Sequence, residues 1–130
     1  MTPPRYRTDH IHYRTLNAAV SARFWIDVFG ATETSRAVVN GHLRVVLDLA
    51  GLAVFVEEVP EGTGAPPPAP YLGLEHLALV VDDLDAAVAD LTAKGATLAR
   101  PVSSPRPGVR ICFVAAPDGA QVELLERTGG

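Results

Sequence analysis

The chain repeats itself. His10-Ile11-His12-Tyr13-Arg14-Thr15 opens a segment that runs through an apolar, helix-like stretch to Gly30-Ala31-Thr32. His76-Leu77-Ala78-Leu79-Val80-Val81 opens a second, which runs through a similar stretch to Gly95-Ala96-Thr97. The two histidines stand sixty-six residues apart. An internal repeat narrows the architecture to two copies of one supersecondary unit. It also sets a metal-ligating residue type at the same point of each copy, as a site on a pseudo-twofold axis requires.

Each copy reads β-α-β-β-β. Alternation and turn residues predict strands near 9–15, 33–39, 43–49 and 52–58 with a helix over 17–29. The second copy gives strands near 74–81, 97–102, 109–115 and 120–126 with a helix near 83–94. Asn17 is placed to cap the first helix, with Val20, Phe24 and Val28 as its apolar stripe. Asp82 or Asp83 caps the second, whose stripe is Leu84, Val88 and Leu91. Both helices run into a glycine, Gly30 and Gly95, suited to a left-handed C-terminal cap. Between the copies, Glu61-Gly62-Thr63-Gly64-Ala65-Pro66-Pro67-Pro68-Ala69-Pro70 supports neither ladder nor helix and reads as a stiff connector. The expected organisation is one domain over 1–130, with module one about 8–59, a linker at 60–71 and module two about 72–127.

Composition excludes several classes. A net charge of −4 with no basic run argues against nucleic acid as a partner. No window approaches the ~20 apolar residues of a membrane span, and the first nine residues lack an apolar signal region. A cytoplasmic location and a small-molecule partner are therefore expected. Cys112 is the only cysteine, in the apolar run Arg110-Ile111-Cys112-Phe113-Val114, and reads as a small core residue.

Strand alternation decides which side chains share a face. His10, His12 and Arg14 point one way from the first strand, and Ile11, Tyr13 and Thr15 the other. His76 pairs with Ala78, and Gln121 with Glu123, against Val122 and Leu124. If a helix covers one face of each sheet, then His10, His76 and Glu123 are free to line the other.

At this point the chain resembles the vicinal oxygen chelate superfamily: glyoxalase I, bleomycin-resistance proteins, fosfomycin-resistance enzymes, methylmalonyl-CoA epimerase and extradiol dioxygenases. The resemblance rests on Asp9-His10-Ile11, Phe24-Trp25-Ile26-Asp27-Val28-Phe29-Gly30, Glu75-His76-Leu77-Ala78 and Asp82-Asp83-Leu84. Its strongest part is the closing strand-turn-strand Phe113-Val114-Ala115-Ala116-Pro117-Asp118-Gly119-Ala120-Gln121-Val122-Glu123-Leu124. It implies an α+β fold of two βαβββ modules forming a U-shaped mixed sheet around a cavity, and a homodimer.

The resemblance carries the metal positions to His10, His76 and Glu123, and implies a divalent ion (Fe, Mn, Ni, Zn or Co). Aligning Gly51 with Gly119 puts Phe55 where the fourth ligand of glyoxalase I would stand, and phenylalanine cannot ligate. Glu57, two residues on, shares that face, and His42 resembles the third-strand ligand position of the epimerases. Two imidazoles and a carboxylate leave an ion with open positions for substrate oxygens, a set also used by non-haem iron oxygenases. Glu57, His12 or Glu123 itself are the candidate proton-transfer groups; His12 either orients a ligand or faces solvent. Phe55, Arg44 and Arg110 are the candidate substrate contacts, the two arginines holding an anion through paired hydrogen bonds or lying as solvated edge charges.

Three functions follow from the resemblance. The first is a metal-dependent lyase, isomerase or epimerase acting on a small oxygen-chelating substrate. The second is a ring-cleaving iron dioxygenase, and the third a metal-free antibiotic-binding protein. The intact His, His, Glu set favours the first two over the third. The acidic balance and single lysine do not suggest a glutathione or fosfomycin site.

Overall fold

The computed structural model describes residues 2–128. Met1, Gly129 and Gly130, which the single-domain expectation includes, lie outside the described residues. The chain divides after Gly62 into two compact units. The first holds β1 (His10–Thr15), α1 (Ala18–Phe29), β2 (Thr32–Val39), β3 (His42–Leu49) and β4 (Leu52–Glu58). The second holds β5 (Leu77–Val80), α2 (Leu84–Ala93), β6 (Leu98–Arg106), β7 (Val109–Ala115) and β8 (Gln121–Arg127). Strand order is β1-β4-β3-β2 in one sheet and β5-β8-β7-β6 in the other. In each, the first strand runs parallel to the last and the remaining pairs are antiparallel. The fold is α+β, two βαβββ modules of the same topology.

Local chemistry accounts for the elements. Asn17 caps α1 by accepting from the Val20 amide at 3.1 Å, and Asp83 caps α2 through the Ala86 amide at 3.0 Å. Gly30 ends α1 at φ 73°. The hairpins of module one turn at Asn40-Gly41 and Ala50-Gly51, where both residues of each pair have positive φ. That is the type I′ geometry whose twist matches paired strands. One face of each sheet lies under its helix. In module one Val45, Leu47, Val54 and Val56 meet Ala18, Ala22, Trp25 and Val28, all buried. In module two Cys112, Val114, Val122 and Leu124 are buried on the face of Leu84 and Leu91.

A shared device anchors both helices. The Glu58 carboxylate accepts from the Ala18 amide at 3.0 Å, and that of Glu126 from the Leu84 amide at 2.8 Å. Each carboxylate, near the end of its module's last strand, answers an otherwise unpaired first-turn N–H and the positive end of the helix dipole.

Three expectations change. Val20 is 64% exposed, and the buried face of α1 is Ala18, Ser21, Ala22, Trp25 and Val28. Residues four apart overshoot a helical turn by about 40°, so a stripe read at strict four-residue spacing drifts off the core. Strand β5 is shorter than expected and begins just after His76. Strand β6 runs on to Arg106 through Pro101 and Pro105, with register shifts along its pairing to β7. It is an edge strand, where proline's missing donor faces no partner.

Candidate functional site

On the uncovered face of module one, the ladder sets side chains in rows across β1, β4 and β3. Arg14, Glu57 and Arg44 form one row, and His12, Phe55 and Val46 the next. His10 lies beyond them on β1, opposite Ala53. The corresponding face of module two carries Val80, Leu125 and Ile111 in one row, Ala78, Glu123 and Phe113 in the next, and His76 beyond. Phe55 and Glu123 therefore occupy matching positions, as the glycine alignment expected.

The two histidines are held alike. His10 Nδ1 meets the Asp9 carboxylate at 2.7 Å, and His76 Nδ1 meets Glu75 at 3.0 Å. A carboxylate on one ring nitrogen fixes the ring and directs the other outward, the usual support of a metal-ligating histidine. Their outward nitrogens meet different surroundings. The His10 ring stacks on Phe55, centroids 3.8 Å apart and planes 5° from parallel. His76 Nε2 lies 2.9 Å from Glu123 Oε1, and its ring stands edge-on to Phe113 at 5.1 Å.

The His76–Glu123 pair suits a divalent cation. A neutral imidazole has one N–H, so with carboxylates at both nitrogens only one contact is a simple hydrogen bond. The other brings two lone pairs together unless a proton or a metal ion lies between. A divalent ion, if bound, would take His76 Nε2 and a Glu123 carboxylate oxygen as its donors from this module. Among the described residues no group of three or more His, Cys, Asp or Glu side chains gathers as a ready-made metal site. Of the three expected ligands, His76 and Glu123 come together; His10 belongs to the other module.

Glu57 is placed for a different task. Its residue is 7% exposed, and its carboxylate accepts from Arg44 Nε at 2.7 Å and Arg14 Nη1 at 3.1 Å, with His12 Nε2 at 3.1 Å. The Arg44 hydrogen bond, helped by the charges of Arg44, Arg14 and His12 and opposed by burial, holds its carboxyl below the usual range. A carboxylate so stabilised is a poor base and has few lone pairs left for an ion.

The paired arginines part company. Arg44 lies on the uncovered face, its guanidinium 5.2 Å from the Phe55 centroid. Arg110 pairs across the ladder with Glu126, on the helix-covered face, and makes two hydrogen bonds to Asp85 at 2.9 and 3.2 Å. The two arginines are sixty-six residues apart, but on β3 and β7 the matching interval is sixty-seven, so Arg44 corresponds to Ile111. His42 opens β3 opposite Val39. Sequence reasoning assigned no role to Arg14, Asp9, Glu75 or Arg100. Arg100 lies over the Phe113 ring at 4.7 Å. An acidic residue before each repeated histidine was the available signal for two of them.

With this geometry in view, comparisons place the chain. The model of the glyoxalase-like domain family matches residues 10–125. An uncharacterised Escherichia coli protein, YaeR, is 33% identical over 124 residues, covering 91% of this chain and 94% of that one. A glyoxylase/bleomycin resistance protein/dioxygenase domain from Frankia superposes with a TM-score of 0.80 at 20% identity, covering 98% and 96% of the two chains. The fosfomycin resistance protein FosX of Listeria monocytogenes, complexed with Mn(II) and sulfate, gives 0.72 at 17% identity over 96% and 95%. These two likenesses speak to the fold. The chain belongs to the glyoxalase-like domain family, within the vicinal oxygen chelate superfamily.

Proposed function

We propose that this protein is a divalent-metal-dependent enzyme of the glyoxalase-like kind, a lyase, isomerase or epimerase acting on a small oxygen-chelating substrate. His76 and Glu123 hold the ion, and His10, supported by Asp9 as His76 is by Glu75, is the third ligand that the resemblance implies. The observation that carries the reading is the His76–Glu123 approach at 2.9 Å with the far ring nitrogen already occupied by Glu75. The Mn(II) complex of FosX supports it from the side of the fold. A bound ion would act as a Lewis acid on substrate oxygens.

The protein's own groups supply the rest. Glu75 and Asp9 keep the two rings aimed. Of the candidate bases, Glu57 is committed to its arginines and Glu123 to the ion. His12 therefore takes the proton transfer. Its Nε2 is turned to Glu57, which leaves Nδ1 to accept. Phe55, stacked on His10, gives the substrate an apolar wall in place of a fourth ligand.

Elemental analysis of protein purified without chelators tests this. The expected result is about one divalent ion per chain, lost in His76→Ala and in Glu123→Ala. Failure to bind any divalent ion after reconstitution would overturn the reading and leave a binding protein. The identity of the ion sorts the chemistry, since iron would redirect it toward ring-cleaving oxygenation.

A further inference from the structure

We propose that Arg14 and Arg44, held side by side by the buried Glu57, form an oxyanion subsite, and that the substrate is a small organic anion bearing a carboxylate or phosphate. The three residues stand in one row across β1, β4 and β3. Glu57 bonds both guanidinium groups at once, at 3.1 and 2.7 Å. One carboxylate against two guanidinium groups leaves the row with an excess positive charge. Each guanidinium carries five N–H donors in a fixed fork. Among the described residues, neither arginine has another hydrogen-bond acceptor, so donors of both remain for a ligand. Their side chains are 55% and 28% exposed, while that of Glu57 is 9% exposed. The anchor is buried and the heads are accessible.

Module two shows that the fold does not require these charges. The same ladder positions there hold Val80, Leu125 and Ile111, and the topology is identical. A row of ionisable groups that its structural twin omits has a use other than holding the sheet together. Tethering two arginines in advance removes much of the ordering cost of clamping an anion, and their planar forks match carboxylate and phosphate oxygens. The cation–π contact of Arg44 with Phe55 fixes the second head further. His10 projects from the same face of β1, so an anion on the row extends toward the proposed ligand.

As a statement about the substrate, this rests on the metal-enzyme reading; as an oxyanion site it stands on the row alone. Titration of the metal-free full chain with inorganic phosphate, and separately with malonate, followed by calorimetry and by Arg side-chain NMR, tests it. Saturable binding of at least one probe is expected, and the tighter of the two identifies phosphate or carboxylate as the recognised group. Arg14→Gln and Arg44→Gln should each weaken it about tenfold or more, while Arg23→Gln, on the outer side of α1, leaves it unchanged. Arg14 is the more exposed, so its variant carries the test if Arg44→Gln disturbs folding, which circular dichroism reports. Absence of saturable binding, or binding indifferent to both substitutions, overturns the proposal. His76→Ala should keep anion binding intact, so loss of the metal reading and loss of the subsite register separately.

Discussion

The two modules share a frame and differ in what they hang on it. Each has the strand order of the other, a helix capped by Asn17 or Asp83, a strand carboxylate on the first helical amide, and an acid-supported histidine. Beneath α1 the packing is aromatic: Trp25 meets Tyr13 at 5.4 Å edge-on and lies against Phe24 and Phe29. The buried residues of α2 are Leu84 and Leu91. The uncovered faces diverge more. Module one carries two arginines, Glu57 and two histidines around Phe55, while module two sets His76, Glu123 and Arg100 among aliphatic neighbours and Phe113. Strand order and helix anchoring thus stay constant while the side chains that point away from the helix vary. Under the two readings proposed above, module one would recognise charge and module two would hold the ion.

The sharpest way to break the comparison is to strip each core. Trp25→Ala should destabilise the protein by about 4 kcal/mol and Leu91→Ala by about 3 kcal/mol, read from urea unfolding. A Trp25→Ala cost well below that of Leu91→Ala would mean that the aromatic cluster is not what packs module one. Next come the helix anchors. Glu58→Ala and Glu126→Ala each remove a charged acceptor from a first-turn amide and should cost a similar amount, about 2 kcal/mol. A cost confined to one of them would show that the shared geometry is not shared energetics.

The smallest effect concerns acid. The Glu57 carboxyl is depressed in the folded state, chiefly by the Arg44 hydrogen bond. Its contribution is therefore present above the ordinary carboxylate value of about 4.3 and is lost as pH falls through the lower folded value. In that window the denatured chain takes the proton first, so stability rises with pH. Glu57→Gln should flatten this part of the stability–pH curve, whereas Leu125→Gln, at the matching position of module two, should leave its slope unchanged. Equal slopes in wild-type and Glu57→Gln protein would show that the arginine row does not hold the carboxylate ionised.

Much of this was legible in the residues. The repeat, the alternation and the closing Pro-Asp-Gly turn led to two βαβββ modules, and the glycine alignment correctly matched Phe55 with Glu123. The errors have identifiable causes. Val20 was assigned to the core because four-residue spacing was followed without its rotational drift. Strand β6 runs past the expected end at 102 because an edge strand absorbs Pro105, whose missing donor faces no partner. Arg110 was expected beside the substrate with Arg44, but the interval between the modules grows from sixty-six on the first strand to sixty-seven on β3 and β7, which turns Arg110 to the helix-covered face. No pattern in the sequence distinguished Glu57 as a tether from Glu57 as a base, because the difference lies in Arg14 and Arg44, residues far from it along the chain.

The sequence by itself determined what is local: the period of each strand and helix, the capping residues, the faces on which His10, His76 and Glu123 stand, and the acid before each histidine. Only the tertiary structure decided what each of those side chains meets. Ladder register is what puts Glu57 between two arginines, stacks His10 on Phe55 and turns Arg110 toward Asp85. Register is fixed by the burial of a whole sheet face and by turn geometry, quantities summed over many residues. No short motif contains them.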